Sequence, residues 1–513
     1  MFVVTILADV MLARVYSCAL IGLEGAIVEV EADISPGLPS FTVVGLPDAA
    51  VQEARERVRA AIRNSGFSFP SRRITVNLAP ADLKKVGPSY DLPIAAAILI
   101  GSGQCKGDIS DMLLLGELSL DGSLRHTNGI LPMVAFAREK KMSAVIVSES
   151  DAAEAALVEG INIACFKNLR QLSDAISSPE PLAFYQPHSA GCAPSPPADW
   201  VDMCSIKGQE HIKRALEVAA AGAHNIVMTG PPGSGKTMLA RALSSILPPM
   251  TRNESLEVTK IYSISGLLPS DTPLILNRPF RAPHYTISSA GMVGGGSWPK
   301  PGEISLSHRG VLFLDELPEF GSAKLEILRQ PMEDKTVTIS RVKGSISFPA
   351  NFMLVGAMNP CPCGFYNDPV KSCSCSPSAI ARYQQKLSGP FTDRIDIFVN
   401  APQVDYEKLT SDRHGEKSCS IAKRVKAARA KQLERLINTN ALTNSDMCAE
   451  DIADFCTSDD TARSLLREGM RQLHLSARGY HRILKLARTI ADLEDSQIIK
   501  AHHVAEAMQY RPR

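Results

Sequence analysis

The residues best suited to chemistry lie in one short stretch, IVMTGPPGSGKT at positions 226–237. Glycines let consecutive backbone N–H groups turn towards one anion, and a helix that begins there adds partial positive charge. Lys236 is placed to reach the β- and γ-phosphates of a nucleotide, and Thr237 to ligate Mg²⁺ through its hydroxyl. The pattern GxxxxGK[ST], between a strand and a helix, predicts a phosphate-binding loop formed by Gly230, Pro231, Pro232, Gly233, Ser234, Gly235, Lys236 and Thr237.

Two carboxylates follow a second apolar run, GVLFLDE at positions 310–316. Four consecutive apolar residues predict a strand that is buried on both faces of a parallel sheet. Such a strand delivers Asp315 and Glu316 at its carboxyl end, where ligands of α/β sheets bind. Asp315 suits coordination of Mg²⁺, and Glu316 suits orienting an attacking water. An acidic loop after a core strand is the alternative, which the phosphate-loop pattern upstream disfavours.

A third apolar run, FMLVGAM, ends at Asn359, whose amide could hydrogen-bond the water or the γ-phosphate. Directly after it the chain reads CxC-x9-CxC, a dense group of thiols that suits tetrahedral Zn²⁺. Free thiols are the alternative, and disulfides are disfavoured by strain and by the absence of an export signal. Because protein ligands fill all four positions, such a zinc would be structural; the cysteines are Cys361, Cys363, Cys373 and Cys375.

Composition restricts the class of protein. The chain has 513 residues, enough for roughly three domains, with 45% apolar and 21% charged residues, as in ordinary soluble proteins. The net charge of +1 means that any nucleic-acid binding must come from local basic patches. The apolar opening MFVVTILADV is too short to span a membrane and lacks a basic leader. We expect a cytoplasmic protein without membrane segments.

The patterns predict a protein of α/β class and divide the chain into four parts. Residues 11–176 predict an α/β domain, with a strand over 14–32 and an amphipathic helix over 49–64. Residues 177–200 contain six prolines and predict an extended linker. Residues 201–400 hold the nucleotide motifs on a parallel sheet. Residues 401–513 predict a helical lid, including a basic helix that either contacts DNA or presents a solvated face.

The front domain is similar to the proteolytic domain of Lon proteases, which has a ribosomal-S5-like fold. The resemblance lies in GPSYDLPIAAAIL and GELSLDGSLRHTNGILP, and it aligns Ser89 with the nucleophile. The lysine base is missing, since no lysine lies between Gly116 and Leu131. Because a serine without its base is a weak nucleophile, we expect a non-proteolytic domain in which Ser89 lies in a turn or a helix cap.

The whole chain from 11 to 510 resembles the Mg-chelatase-like AAA+ ATPases of the YifB/ComM family. The resemblance rests on RPFRAPHYTISSAGMVGGGSWPKPGEISLSHRGVLFLDELPEF, NPCPCGF and FTDRIDIF. It departs at Tyr285, where the family often has a second histidine after His284. Residues 1–10 precede the usual family start, so Met11 is an alternative to Met1. The resemblance implies an AAA+ core that uses ATP and Mg²⁺ within a homo-hexameric ring.

The same resemblance implies roles for two arginines. Arg394 matches the arginine finger, which reaches the γ-phosphate bound by a neighbouring subunit. An ordinary ion pair with Asp393 or Asp396 is the alternative. Arg478, in the first turn of a predicted helix, matches the sensor-2 arginine that clamps the γ-phosphate; Arg482 is the weaker candidate.

Two hairpins, predicted at 291–304 and 341–345, would line the central pore of the ring. Lys300, Arg341 and Lys343 are candidate contacts to DNA phosphates, with solvated loop residues as the equal alternative. Trp298 could stack on a base or anchor its hairpin. The implied function is an ATP-driven DNA helicase that promotes branch migration during natural transformation or recombination. The alternatives are a protein-remodelling ATPase of the MoxR or Mg-chelatase type and, disfavoured by the missing lysine, proteolysis.

Overall fold

The computed structural model describes residues 11–46, 48–186, 200–269, 272–296, 299–341, 344–368, 371–403, 415–472 and 476–511. These residues divide into two compact units. The first unit comprises the described parts of Met1–Cys192 together with Ser255–Ile275. The second comprises the described parts of Ala193–Glu254 and Leu276–Arg513.

A seven-stranded mixed sheet forms the centre of the first unit. Its strands, in spatial order, are Ser40–Val44, Arg73–Ala79, Glu24–Ser35, Met11–Ile21, Met112–Leu114, Ala144–Ser148 and Asn162–Phe166. The single strand predicted over 14–32 is wrong, because Gly22 and Leu23 form a tight turn and the two halves pair antiparallel. Gly22 has φ of 64°, a conformation that glycine adopts without steric cost.

Helices cover the sheet of the first unit. They are Ala49–Asn64, Asp91–Gly101, Ile130–Glu139, Ala152–Ala155 and Leu169–Ser177. The helix Asp91–Gly101 is apolar on nearly every side and buried accordingly. The helix Arg252–Ser265 begins in the second unit, but from Ser255 onward the chain packs with the first, where Ser263 Oγ donates to Glu154 Oε1 at 2.6 Å. Ser255–Ile275 lie inside the 201–400 boundaries proposed for the ATPase core.

A five-stranded sheet forms the centre of the second unit, and every neighbouring pair in it is parallel. Its order is Phe280–Arg281, Val311–Leu314, Met353–Met358, Ile226–Thr229 and Ile397–Asn400. The three apolar runs of the sequence are its three central strands. They are almost wholly buried, as expected of a parallel sheet with both faces covered.

Helices surround this sheet and continue beyond it. Those within the core are Glu210–Gly222, Lys236–Leu243, Ser289–Val293, Glu303–Leu306, Ser322–Ile327, Arg329–Asp334, Pro377–Gln384 and Gly389–Thr392. Those that follow the last strand are Ser418–Arg435, Ala449–Phe455, Asp460–Gln472, Ala477–Leu493 and Ala501–Gln509. The mixed α/β class with a parallel central sheet and a helical C-terminal part is confirmed.

Two small ladders correspond to the predicted hairpins. Gly294–Gly295 pair with Lys300–Pro301, and Thr336–Arg341 pair with Gly344–Pro349. The second hairpin is longer than the 341–345 segment predicted for it, and it begins directly after the helix Arg329–Asp334. Among the described residues, no helix has both the length and the apolarity needed to cross a bilayer.

Candidate nucleotide site and cysteine cluster

The nucleotide motifs meet because three adjacent strands end at one edge of the parallel sheet. The strand Ile226–Thr229 leads into the phosphate loop, and its neighbour Met353–Met358 leads into Asn359, with Thr229 opposite Met358. The next strand, Val311–Leu314, leads into Asp315. Carboxyl ends of parallel strands form the usual ligand-binding edge of such sheets.

The glycines of the loop are required by its backbone. Gly230 passes so close to the chain after the last strand that a Cβ atom there would lie 2.1 Å from Ala401 O. Gly235 has φ of 80°, in the left-handed region, directly before the helix that starts at Lys236. The side chain of Gln209 supports the loop from outside, since its Nε2 donates to Ser234 O at 2.8 Å and to Pro402 O at 3.1 Å.

Lys236 is folded into the cradle that the loop forms. Its Nζ donates to Gly230 O at 2.8 Å and to Pro231 O at 2.9 Å, and it lies 3.4 Å from Asn359 Oδ1. The residue is 8% exposed, and this burial lowers the pKa of Lys236. The ammonium group is therefore held beside the position where the loop is shaped to accept a phosphate.

The two predicted magnesium ligands are in direct contact. Thr237 Oγ1 donates to Asp315 Oδ2 at 2.9 Å. The backbone N–H of Glu316 donates to Asp315 Oδ1 at 2.9 Å, which fixes the carboxylate. Glu316 itself has φ of 51°, and its side chain is exposed. Hydroxyl and carboxylate oxygens at this spacing fit a hard divalent cation, so these residues suit Mg²⁺.

The two predicted phosphate-sensing arginines meet in a second cluster. Arg394 Nη2 lies 2.6 Å and Arg478 Nη2 lies 2.8 Å from the same atom, Glu333 Oε1. Arg482 donates to the backbone oxygen of Asp393 at 2.7 Å. These side chains line a cavity of about 270 Å³, which Lys485 also lines. The structure thus groups Arg478 with Arg394 around one acid.

Sequence reasoning missed Glu333 and the role of Gln209. Glu333 carries no motif, and no local pattern in the sequence connects it with Arg394 or Arg478. Gln209 could not be identified from a local pattern, because its partners Ser234 and Pro402 are distant in sequence.

The four cysteines of the CxC-x9-CxC pattern form a compact cluster whose sulfur atoms all lie within 4.8 Å of one another. Cys361 Sγ lies 3.3 Å from Cys363 Sγ and 3.7 Å from Cys373 Sγ. These separations are too long for disulfides and close to the roughly 3.8 Å edge of a tetrahedron with Zn–S bonds of about 2.3 Å. The N–H groups of Phe365 and Ser374 lower the pKa of Cys363 to about 5, which favours a thiolate there, whereas burial and hydrogen bonding to the neighbouring thiols raise the pKa of Cys373 and Cys375. The donor set fits zinc.

The candidate DNA contacts are only partly described. Lys300 is exposed in its short ladder. Arg341 ends a strand of the longer hairpin, with only its backbone described. Lys343 and Trp298 lie outside the described residues.

Several cationic side chains of the basic helix Ser418–Arg435 bind other residues of the second unit. Arg435 binds Asp492 at 2.6 Å, and Arg424 binds Glu217 at 2.5 Å. Arg429 donates to Ala220 O at 3.0 Å, and burial lowers the pKa of Arg429 to about 10. These three arginines are therefore structural, and the exposed cations left on this helix include Lys423 and Lys426.

Ser89 lies in a short 3-10 turn, Pro88–Tyr90, directly before the helix Asp91–Gly101. It is 5% exposed. A buried serine in a turn agrees with the structural role expected of it.

Three family descriptions match the chain. Residues 202–409 match "Magnesium chelatase, subunit ChlI", residues 30–151 match "Subunit ChlI of Mg-chelatase", and residues 415–511 match "Magnesium chelatase, subunit ChlI C-terminal". The first of these spans the phosphate loop, the two carboxylates, the cysteine cluster and Arg394. The third spans Arg478.

Several relatives match over nearly their whole length, and a magnesium-chelatase subunit matches over a part of it. The chain is 43% identical to "Competence protein ComM" of Haemophilus influenzae, over 98% of this chain and 97% of that protein. It is 41% identical to "Uncharacterized protein YifB" of Escherichia coli, again over 98% and 97%. "Magnesium-chelatase 67 kDa subunit" of Heliobacterium mobile is 27% identical over 45% of this chain and 40% of that protein. The chain therefore belongs to the YifB/ComM family of magnesium-chelatase-like AAA+ ATPases.

Proposed function

We propose that the chain hydrolyses ATP at the edge of the five-stranded sheet. The observation that carries this proposal is the contact of Thr237 with Asp315 beside the cradle that holds Lys236. Thr237 and Asp315 would hold Mg²⁺, which would supply neutralisation of phosphate charge. Glu316 orients the attacking water, and Asn359 hydrogen-bonds it or the γ-phosphate.

We also propose that the active form is a cytoplasmic homo-hexameric ring. Support comes from the arginines: Arg394 and Arg478 contact Glu333 and, within the described part of the chain, do not share partners with Lys236 or Thr237. An arginine finger acts on nucleotide bound by a neighbour, and head-to-tail contacts that close generate rings. Arg394 then completes the site of the adjacent subunit.

In this proposal, ATP hydrolysis by the ring drives movement along DNA. From the family resemblance we infer a helicase that drives branch migration of incoming DNA, and the name of one relative, a competence protein, agrees with a role in competence. The hairpins that begin at Gly294 and Thr336 supply the moving elements, and Lys300, Arg341 and Lys343 supply phosphate contacts without sequence preference.

The test is ATP turnover by the full chain without DNA, with linear duplex and with a four-way junction, at low and raised salt. A DNA motor gives faster turnover with branched DNA, and this stimulation falls as salt rises. Lys300→Gln weakens the stimulation, whereas Lys106→Gln, which alters an exposed lysine outside both hairpins and the basic helix, leaves it unchanged. If the assembled protein neither binds nor unwinds branched DNA, the motor proposal fails.

A protein-remodelling ATPase is the second candidate. The relative named as a magnesium-chelatase subunit favours it, since that name concerns metal insertion and not DNA. For such an ATPase, we expect a protein partner to stimulate ATP turnover and DNA to leave it unchanged.

We further propose that the four-cysteine cluster holds a structural zinc ion. The support is the donor set itself, four sulfur atoms within 4.8 Å of one another. With all four positions filled by protein, the ion would fix the loop after Asn359 and would take no part in catalysis.

A further inference from the structure

Glu333 joins three parts of the second unit that are far apart in sequence. It lies at the end of the helix Arg329–Asp334, and its Oε1 accepts hydrogen bonds from Arg394 and Arg478. Arg394 precedes the last strand of the sheet, and Arg478 lies in the first turn of the helix Ala477–Leu493. One carboxylate oxygen therefore links the sheet, the C-terminal helices and the helix that carries it.

The charges of Glu333, Arg394 and Arg478 do not cancel. Two guanidinium groups share one carboxylate, which leaves an excess positive charge. The hydrogen bond with Arg394 lowers the pKa of Glu333, so the carboxylate stays ionised at neutral pH. Glu333 is nevertheless 44% exposed, whereas Arg394 is 11% exposed. A γ-phosphate carries more charge and more acceptor oxygens than a carboxylate, so it can displace Glu333 from both arginines.

The position of Glu333 also ties it to the longer hairpin. Only Asp334 and Lys335 separate it from the first hairpin residue, Thr336. Lys335 adopts a left-handed conformation with φ of 57°, and its backbone oxygen accepts from the N–H of Ala350, at 2.7 Å, directly after the hairpin ends. Both ends of the hairpin therefore lie close to Glu333 in the chain or through the Lys335–Ala350 hydrogen bond. A displacement of Glu333 would move the hairpin, because only two residues connect them.

We propose that Glu333 is a positioning residue that holds Arg394 and Arg478 until the γ-phosphate of a neighbouring subunit takes them, and that its release moves the hairpin Thr336–Pro349. This inference rests on the proposed action of Arg394 in a ring. It assigns to one residue the step that connects nucleotide binding at a subunit interface to the DNA-facing hairpin.

The test compares Glu333→Gln with Asp334→Asn, which removes one charge from the adjacent exposed residue. Without its competing carboxylate, the Glu333→Gln variant is expected to show a KM for ATP that is about three- to tenfold lower, because an ion pair of roughly 1 kcal/mol no longer opposes the phosphate. Its stimulation by DNA is expected to fall towards none, since the hairpin no longer follows the arginines. Asp334→Asn is expected to change neither quantity.

A double substitution shows whether Glu333 acts through the arginines. In an Arg478→Ala background, where Glu333 competes with the phosphate for Arg394 alone, Glu333→Gln is expected to lower KM by a smaller factor than it does in the native chain. An unchanged KM in the single variant, or an equal reduction in both backgrounds, overturns the inference. If Glu333→Gln does not assemble, Glu333→Asp, which keeps the charge, is expected to assemble and retain the native KM; a low KM there also overturns it. The KM measurement uses no DNA, so it stays decisive if the DNA motor proposal fails.

Discussion

The Nζ atom of Lys236 donates to carbonyl oxygens of its own loop, at 2.8 Å to Gly230 and 2.9 Å to Pro231. A buried ammonium group needs such partners, because an unpaired charge away from water is strongly destabilising. The same bonds hold it where a phosphate can replace them with stronger, charge-assisted ones. Thr237 and Asp315 are likewise already paired, so little side-chain ordering remains for nucleotide binding.

Glu316 is the first residue whose role can be tested alone. Glu316→Gln keeps the shape of the side chain but removes the group that orients and accepts a proton from water. We expect ATP binding within about twofold of native and turnover lowered by about 10²- to 10⁴-fold. Binding of a fluorescent ATP analogue and steady-state phosphate release measure the two effects.

Lys236→Ala provides the contrast, since it removes a phosphate contact and is expected to abolish nucleotide binding itself. The assignment of Glu316 is contradicted if Glu316→Gln turns over at the native rate.

Arg394 is expected to affect turnover and not ATP binding by its own subunit. Arg394→Ala removes a positive charge from the transition state in the adjacent site, which costs about 10³-fold or more in rate for arginine fingers. Mixing Arg394→Ala with Glu316→Gln subunits is expected to restore some activity, because some interfaces then pair an intact finger with an intact catalytic acid. Normal turnover by the variant alone refutes the assignment.

Elements bring these residues together in a way that single motifs do not specify. The strands Ile226–Thr229, Val311–Leu314 and Met353–Met358 are neighbours only because they pair in parallel. The helix Ser418–Arg435 is fixed beside the core by buried bonds, including Gln432 Nε2 to Ala221 O at 3.0 Å. This packing explains why a helix rich in arginine and lysine does not present a uniform basic face.

The loop that carries the cysteines has few apolar residues and depends, in our proposal, on its metal. We expect about one zinc per chain after purification without chelators, and loss of that zinc in Cys375→Ser. Hydrogen exchange over residues 361–375 is expected to rise in the variant, because the loop loses its crosslink. Cys419→Ser, at an exposed cysteine outside the cluster, is the matched control. A zinc content near zero in the native protein rejects the proposal.

A pH-dependent contact is expected in the first unit, where His126 Nδ1 pairs with the buried Asp151. The hydrogen bond with Asp151, with a smaller effect of Glu154, raises the pKa of His126. A raised pKa means that the pair stabilises the fold fully below the ordinary histidine pKa of about 6.5 and less as pH rises through the raised value. Because His126 is half exposed, the effect is expected to be under about 1 kcal/mol.

Hydrogen exchange at Thr127, whose N–H donates to Asp151 Oδ2 at 3.1 Å, measures this contact. At the Thr127 amide, we expect faster hydrogen exchange in His126→Gln than in the native protein. This difference is expected to be larger near pH 6 than near pH 9. An equal difference at both values contradicts the prediction.

The whole molecule has two compact units, and the proposed catalytic cycle requires several copies of the second. Arg394 and Arg478 share Glu333 within one chain, while Lys236, Thr237 and Asp315 form a separate group. If the arginines act on a neighbour, a single chain cannot complete a catalytic site.

Turnover per chain is therefore expected to rise with protein concentration and to reach a plateau as rings form. Light scattering and phosphate release, measured over the same dilution series, are expected to change together. Arg394→Ala is expected to assemble like the native protein and remain inactive at every concentration. Full activity of a monomer rules out the shared site.

Motifs and apolar runs predict the residues of the candidate nucleotide site and most of the secondary structure around them. Gly230 to Thr237, Asp315 and Asn359 each follow a run of apolar residues, and such runs predict buried parallel strands through local hydrophobicity alone. The cysteine cluster was equally predictable, because CxC pairs this close in sequence must be close in space. The pattern does not predict the turn at Gly22, since apolar alternation continues on both sides of it.

Which distant groups share a partner depends on the tertiary structure. No local pattern connects Glu333 with Arg394 and Arg478, or Gln209 with Ser234. Nor does any local pattern join Ser255–Ile275 to the first unit. These contacts depend on strand order and on helix packing over long sequence separations. Side-chain type and spacing fix what chemistry is available, whereas the packing of whole elements fixes which charged groups face one another.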